Sequence, residues 1–327
     1  MYTRMDNSGV EDVCYEQEHV EKVLHAIKKN FDEHFNRFLD STGGKGVSLE
    51  SIQELQKKFG IEVQEKKKNS DLTANYKAII REAIENFEKD RGDYQKIFRQ
   101  NWLEDLDEDA DVFKSKVLKN ECPIIRKTLA NKKAKELDRY RVSFSLADAD
   151  WLLSVVYNLC VFGDAYKKSY DPNTYEDAET YEDLNLSLLD TDDYTAYGVI
   201  GGGIKTHMLY KVHPSLFPNR SRSAIWALWY LTDKESFGCK TDSEFLMIDL
   251  DKNIVQQNYF YPYQLFAFYA FEIYKLLRGK AKELNVDIDP EYRYVVVDAF
   301  LEFIAMEHDE EIAFLKSQIR DGGMGYA

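Results

Sequence analysis

Residues 194–230 read YTAYGVIGGGIKTHMLYKVHPSLFPNRSRSAIWALWY, and no other stretch of the chain is as specialised. Three consecutive glycines, Gly201 to Gly203, follow a short apolar lead-in, and a helical pattern begins directly after them. A proline-bounded turn comes next, and Arg220 and Arg222 then open an aromatic-rich helix. Because glycine and proline punctuate helices, this order predicts two helices joined by a compact turn.

Helical patterns continue on both sides of this stretch. Apolar residues recur every three or four positions, the spacing of one helix face, over residues 16–39, 71–87, 146–160, 263–284 and 290–315. Ser145 is the expected N-cap of the third of these helices, and Asp289 with Pro290 suits the start of the last.

One strand signal interrupts the helices. Residues 245–250 and 254–261 are rich in apolar and β-forming side chains, and the polar turn Asp251–Asn253 separates them. The sequence therefore predicts a mainly α, multi-helical globular protein with one small β-hairpin in the C-terminal half. We divide it into an N-terminal helical region, 1–140, and a C-terminal helical region, 141–327. The boundary between them is approximate, and the two regions can share one hydrophobic core.

The charge of the chain limits how it can bind nucleic acid. The 327 residues carry a formal net charge of −15 at pH 7. Proteins that hold nucleic acid through its phosphates usually present a basic face, so any such face here must be local. Nine acidic residues and no basic one lie between Asp171 and Asp193. This segment suits either a solvated surface connection or the docking of a basic protein partner.

Nothing in the sequence indicates export or a membrane. The N-terminus, MYTRMDNSGVEDV, lacks the apolar core of a signal peptide, and no segment has the roughly 18 uncharged apolar residues of a membrane span. The cysteines, Cys14, Cys122, Cys160 and Cys239, form no Cys-x-x-Cys pair, which favours reduced, buried thiols. We therefore expect a soluble cytoplasmic protein with no membrane contact.

Residues 200–209, IGGGIKTHML, resemble the hairpin of the helix-hairpin-helix family, and in particular that of its DNA glycosylases. The family hairpin reads hydrophobic, Gly, any residue, Gly, two residues, Thr, Ala. Gly201 and Gly203 match the two glycines, Thr206 matches the threonine, and His207 replaces the alanine. Glycines permit the tight turn, and the amides of the following helix can point at a phosphate.

The resemblance continues beyond the hairpin. Residues 213–218, HPSLFP, are similar to the family segment that leads to the helix with the catalytic aspartate, and Lys205 falls where bifunctional members carry a Schiff-base lysine. Residues 219–223, NRSRS, occupy the region of the aspartate and contain none. The resemblance therefore implies DNA binding without base excision, since the carboxylate of that mechanism is missing. The residues it implies in nucleic-acid binding are Gly201, Gly203, Lys205, Thr206, Lys211, Arg220 and Arg222.

The same residues also have a structural interpretation. The arginines can pair with the acidic segment before them, and Trp226 and Trp229 can fill the core. The glycines are not a nucleotide-binding loop, because the Walker pattern needs a glycine directly before Lys205, and the dinucleotide pattern needs a strand just before the glycines. His308 lacks the Glu-x-x-His spacing of di-iron sites. No cofactor and no metal is predicted.

Three functions remain open on the sequence. The first is a non-catalytic DNA-associated protein, such as a subunit of a DNA-processing or defence assembly, that contacts phosphates through the glycine hairpin. The second is an acidic protein-interaction module that docks a basic partner or mimics DNA. The third is a metal-dependent nuclease whose site has no sequence signature and uses Asp249 or Glu307.

Overall fold

The computed structural model describes residues 14–41, 72–134, 137–238, 244–249 and 254–317. Within these ranges the chain forms thirteen α-helices and one two-stranded antiparallel sheet, which confirms the predicted mainly α fold with a small hairpin. The helices are α1 Gln17–Asp40, α2 Leu72–Ile97, α3 Gln100–Glu104, α4 Ala110–Val112, α5 Pro123–Ala130, α6 Asp138–Leu146, α7 Ala149–Ser169, α8 Pro172–Glu176, α9 Gly202–Val212, α10 Arg222–Leu231, α11 Tyr263–Glu283, α12 Arg293–Glu307 and α13 Asp309–Ser317.

The first two helices bury the stripes that their periodicity predicts. Along α1 the rings of Phe31, Phe35 and Phe38 lie on one buried face, and Phe31 and Phe35 stack with centroids 5.7 Å apart. In α2 the ring of Tyr76 packs edge-on against Phe35 at 5.3 Å. Aromatic pairs of this geometry add to the stabilisation that comes from buried area alone.

The middle of the chain is built from shorter helical pieces. After α4 the backbone continues as a π-helix, Phe113–Glu121, and α5 then starts on Pro123, which fits a first helical position because proline has no amide to leave unpaired. The expected cap at Ser145 is wrong. Asp148 caps α7 by accepting from the Trp151 amide at 2.8 Å, and Leu146 ends the preceding helix, which meets α7 at a bend of 101°.

The C-terminal half contains the hairpin and the most buried helices. Strands β1, Leu246–Asp249, and β2, Ile254–Gln257, pair in the register that places Leu246 opposite Gln257. Helix α10 packs along α12. The single last helix expected from the sequence is divided, because a 3-10 turn at Pro290–Tyr292 precedes α12 and His308 separates α12 from α13.

Buried apolar residues from both predicted regions belong to one cluster, which includes Phe31 and Leu118 as well as Trp226 and Phe300. The boundary near residue 140 stays a prediction. Cys14, Cys122 and Cys160 are all buried, as expected. Cys239 and Asp251 lie outside the described residues.

Among the described helices, none alone has the length and apolar composition of a membrane span, although the bent pair α6 and α7 passes that test when joined.

Candidate functional site

Helix α9 begins on the glycines. Gly201 is its N-cap residue, and Lys205 donates the first helical hydrogen bond to the Gly201 carbonyl at 3.0 Å. The amides of Gly202, Gly203 and Ile204 have no acceptor among the described residues, and all three residues are partly exposed. Free amides at the positive end of a helix dipole favour the binding of an anion.

The guanidinium of Arg220 lies against this helix start. Arg220 is only 2% exposed, its Nη2 donates to the Asn258 carbonyl at 2.7 Å, and its Nε has no hydrogen-bond partner within the described part of the chain. Its Nη1 lies 2.6 Å from the point where a Cβ on Gly202 would stand. Glycine at position 202 therefore makes room for a buried cation at the first turn of α9.

Thr206 connects the helix to the segment that carries Arg220. Its hydroxyl donates to the Gly202 carbonyl at 2.8 Å and accepts from the Arg220 amide at 3.2 Å. Because Thr206 is fully buried, these bonds hold the first turn of α9 and the backbone of Arg220 together.

A second buried cation stands one turn further along α9. Lys205 is 5% exposed, and its Nζ donates to the Leu189 carbonyl and, at 2.9 Å, to the Thr195 hydroxyl. Burial lowers the pKa of Lys205 to about 8 and that of Arg220 to about 10. Neither has a carboxylate within salt-bridge distance among the described residues. Buried charges without an ionic partner cost several kcal/mol, so this site is electrostatically incomplete.

Of the opposing charges that act on Lys205 and Arg220, that of Asp190 has the largest effect on their pKa values. Its carboxylate accepts from the amides of Tyr263, at 2.8 Å, and Gln264, at 3.2 Å, and so caps α11. Although the residue as a whole is exposed, burial of the carboxyl raises its pKa, against the opposing effect of these amides and of the charges of Lys205 and Arg220. We call the three glycines with Lys205, Arg220 and Asp190 the glycine site.

The structure thus brings together five of the seven residues expected to bind nucleic acid and separates the other two. Lys211 faces away from the glycine site. Its Nζ lies 2.7 Å from Asp90 and donates to the Phe87 carbonyl at 2.7 Å. Arg222 is exposed at the first position of α10. Lys205, Lys211 and Arg220 are all buried in this arrangement, which does not favour direct contact between these three side chains and a DNA duplex. Their contact with nucleic acid stays a prediction.

The element before the glycines differs from that of a helix-hairpin-helix. Two 3-10 turns, Ser187–Asp190 and Asp192–Tyr194, precede the glycines in place of an α-helix, and a bridge between Ala196 and Ile200 closes the turn. Trp226 and Trp229 are buried in the core, in agreement with their structural interpretation.

A second polar cluster lies on another face of α9, and the sequence interpretation missed it. The Asp298 carboxyl accepts from Asn219 Nδ2 at 3.1 Å and is bonded to the Tyr210 hydroxyl. Burial, reinforced by the charge of Glu302, raises the pKa of Asp298 to about 8. Burial also lowers the pKa of His207, beside Asn219, to about 4. These bonds hold the segment after α9 in place. The only signal in the sequence was an aspartate within the apolar run of α12.

The acidic segment is largely occupied with internal contacts. Asp171 caps α8, Asp183 accepts from the amides of Glu179 and Thr180, and Asp190 caps α11. Glu176 pairs with Arg278 and, at 3.0 Å, with the buried Arg293, while Asp192 accepts from the Tyr197 hydroxyl. At least five of its nine carboxylates therefore have partners within the protein. Docking of a basic partner stays a prediction.

The residues named for a nuclease site do not converge on a described metal site. Glu307 lies 3.8 Å from Arg37, and the carboxylate of Asp249 is outside the described side chains. Across the described ranges, no group of three or more His, Cys, Asp or Glu side chains is arranged to hold a metal ion.

The glycine site therefore combines the amides of a helix start with two buried cations, an arrangement that favours an anion over a cation. No protein-family model, curated protein or solved structure matches this chain.

Proposed function

We propose that the protein binds an anionic ligand of the phosphate type at the glycine site. The observation that carries this proposal is the pair of buried cations, Lys205 and Arg220, beside three amides, which have neither an ionic partner nor an acceptor among the residues that the structure describes. A tetrahedral anion accepts hydrogen bonds from several donors at once, so it suits a helix start of this kind. An enzymatic activity is not part of the proposal.

Two lysines of α9 provide a matched test. Lys205 and Lys211 are similarly buried, at 5% and 6%, but of the two only Lys211 has an ion-pair partner among the described side chains. Isothermal titration calorimetry with inorganic phosphate should show binding that Lys205→Met weakens by about tenfold or more, because the variant loses the attraction of one buried positive charge. Lys211→Met should leave the affinity unchanged. Equal losses in the two variants, or no binding by the unmodified protein, would contradict the proposal.

DNA association is the second candidate, and the exposed Arg222, two residues from Arg220, is the observation that favours it. Charge reversal at the buried Lys205 or Arg220 would disrupt folding, so the test belongs at Arg222. Duplex binding at low salt should weaken with Arg222→Glu and stay unchanged with Arg81→Glu, an exposed arginine of α2. A duplex affinity that is insensitive to both changes would argue against this candidate. We also propose that the protein is located in the cytoplasm, which cell fractionation tests.

A further inference from the structure

Three exposed apolar side chains belong to the segments that adjoin the glycine site. Nine large apolar side chains are exposed in the described part of the chain, and three of them, Leu188, Tyr197 and Phe260, belong to the segments that frame this site. Tyr197 is 52% exposed and Phe260 is 38% exposed. Single exposed apolar residues are ordinary, but a group beside an incomplete charged site indicates a ligand with an apolar part.

The chain places the two aromatic residues in two separate segments that adjoin the helix start. Tyr197 lies in the turn closed by two hydrogen bonds between Ala196 and Ile200, of 3.1 and 2.7 Å, immediately before Gly201. In the other segment, the Tyr259 carbonyl lies 3.8 Å from the Cβ position of Gly202, and Phe260 follows it.

Each aromatic residue is anchored by its own local bond. The Phe260 amide donates to Asn258 Oδ1 at 3.1 Å, and the Tyr197 hydroxyl donates to Asp192. The neighbouring Tyr261 and Tyr263, in contrast, are buried in the core. The exposure of Phe260 is therefore a property of its position and not of the segment as a whole.

The charged side chains around the glycine site limit the negative charge that a bound anion can carry. Lys205 and Arg220 bring two positive charges, and Asp190 and Asp192 return two negative charges, so that these side chains are neutral in sum and the amides of the helix start supply the remaining attraction for an anion. A single phosphate group adds less charge to this balance than a triphosphate, whose added charge would meet the carboxylates of Asp190 and Asp192.

From this arrangement we infer that the ligand is a nucleoside monophosphate or a closely similar aromatic phosphate monoester. Its phosphate would accept from the amides of Gly202, Gly203 and Ile204, and its base would stack on Tyr197 and Phe260. The inference rests on the proposed function and adds the chemical class of the ligand. This way of binding a phosphate differs from that of a Walker loop, because Lys205 and Arg220 are buried beside the helix start and no lysine directly follows the glycines.

Calorimetry with AMP, ribose 5-phosphate, inorganic phosphate and ATP tests the inference. AMP should bind about tenfold more tightly than ribose 5-phosphate, the contribution of one stacked base. Tyr197→Ala and Phe260→Ala should remove that advantage and leave the affinity for inorganic phosphate unchanged. Tyr197→Phe, which keeps the ring, should retain it, and Phe314→Ala, at an exposed phenylalanine of α13, should have no effect.

The outcomes separate this inference from the proposed function. If AMP and ribose 5-phosphate bind equally well, the aromatic part of the inference is wrong while the anion site stands. Tighter binding of ATP than of AMP would overturn the monophosphate assignment, and tighter binding of a 5′-phosphorylated oligonucleotide would assign the site to nucleic acid. If no phosphate compound binds, both proposals fail. Circular dichroism and the melting temperature confirm that each variant is folded.

Discussion

Replacing Gly202 by alanine should destabilise the protein, although alanine is the better helix former. The new Cβ would stand 2.6 Å from Arg220 Nη1, which is shorter than any allowed contact. Arg220 has little freedom to move, because it is 2% exposed and is bonded through Nη2 to the Asn258 carbonyl at 2.7 Å. The substitution should therefore break or strain that bond.

The magnitude follows from two opposing effects. Loss of a hydrogen bond to a charged group costs about 1.5–3 kcal/mol. The gain in helix propensity from glycine to alanine is at most about 1 kcal/mol in a helix interior, and less at the first position. We expect Gly202→Ala to lower the free energy of unfolding by about 1–2 kcal/mol.

The neighbouring glycine is the control. A Cβ on Gly203 would have its nearest neighbour, the Arg220 carbonyl oxygen, at 3.6 Å, an ordinary contact. Gly203→Ala should therefore leave stability unchanged or raise it by up to about 1 kcal/mol. Urea unfolding followed by circular dichroism measures both variants. If Gly202→Ala is as stable as Gly203→Ala, the guanidinium does not occupy the space beside Gly202 and the reasoning is refuted.

Three further predictions concern single charges. Glu176→Gln should lower the free energy of unfolding by about 3 kcal/mol, because the buried Arg293, which is 2% exposed, loses its ion pair. Glu179→Gln, at an exposed glutamate, should change the free energy of unfolding by less than about 0.5 kcal/mol in the same urea assay. Burial raises the pKa of Asp298 from 3.8 to about 8, so its protonated form stabilises the fold at low pH and this contribution is lost as the pH rises from about 4 to about 8. Asp298→Asn should flatten the pH dependence of unfolding in that range, and an unchanged profile would exclude this role. The pKa of Lys205 is lowered to about 8, so phosphate affinity measured by calorimetry should fall as the pH rises above that value, and Lys205→Met should lose this dependence.

The sequence predicted those parts of the fold that depend on local pattern. The stripe of Phe31, Phe35 and Phe38 predicted α1, and alternation around a polar turn predicted the hairpin, because burial of one face imposes a period on the residues that form it. The cap at Ser145 was wrong since serine and aspartate are both good N-caps and only the tertiary position of the bend selected Asp148.

The candidate site was predictable only in part. The glycines and nearby cations were recognised as an anion-binding pattern, but which of those cations are buried depends on what packs against α9. Lys205 and Lys211 lie on one helix and differ only in their partners, which come from distant segments. Asp190 was counted as part of an acidic surface, because its role as the cap of α11 joins residues 73 positions apart.

Helices α1 and α2 contact helices that are synthesised much later. Asn30 donates to the Leu231 carbonyl across 201 positions, Thr73 to the Leu284 carbonyl across 211, and Tyr76 to the Leu277 carbonyl across 201. On the ribosome, α1 and α2 emerge long before the helices that cover their aromatic faces. Those faces stay exposed to other nascent chains during that interval, so efficient folding in the cell should depend on a chaperone that shields the N-terminal helices until the C-terminal helices have left the exit tunnel.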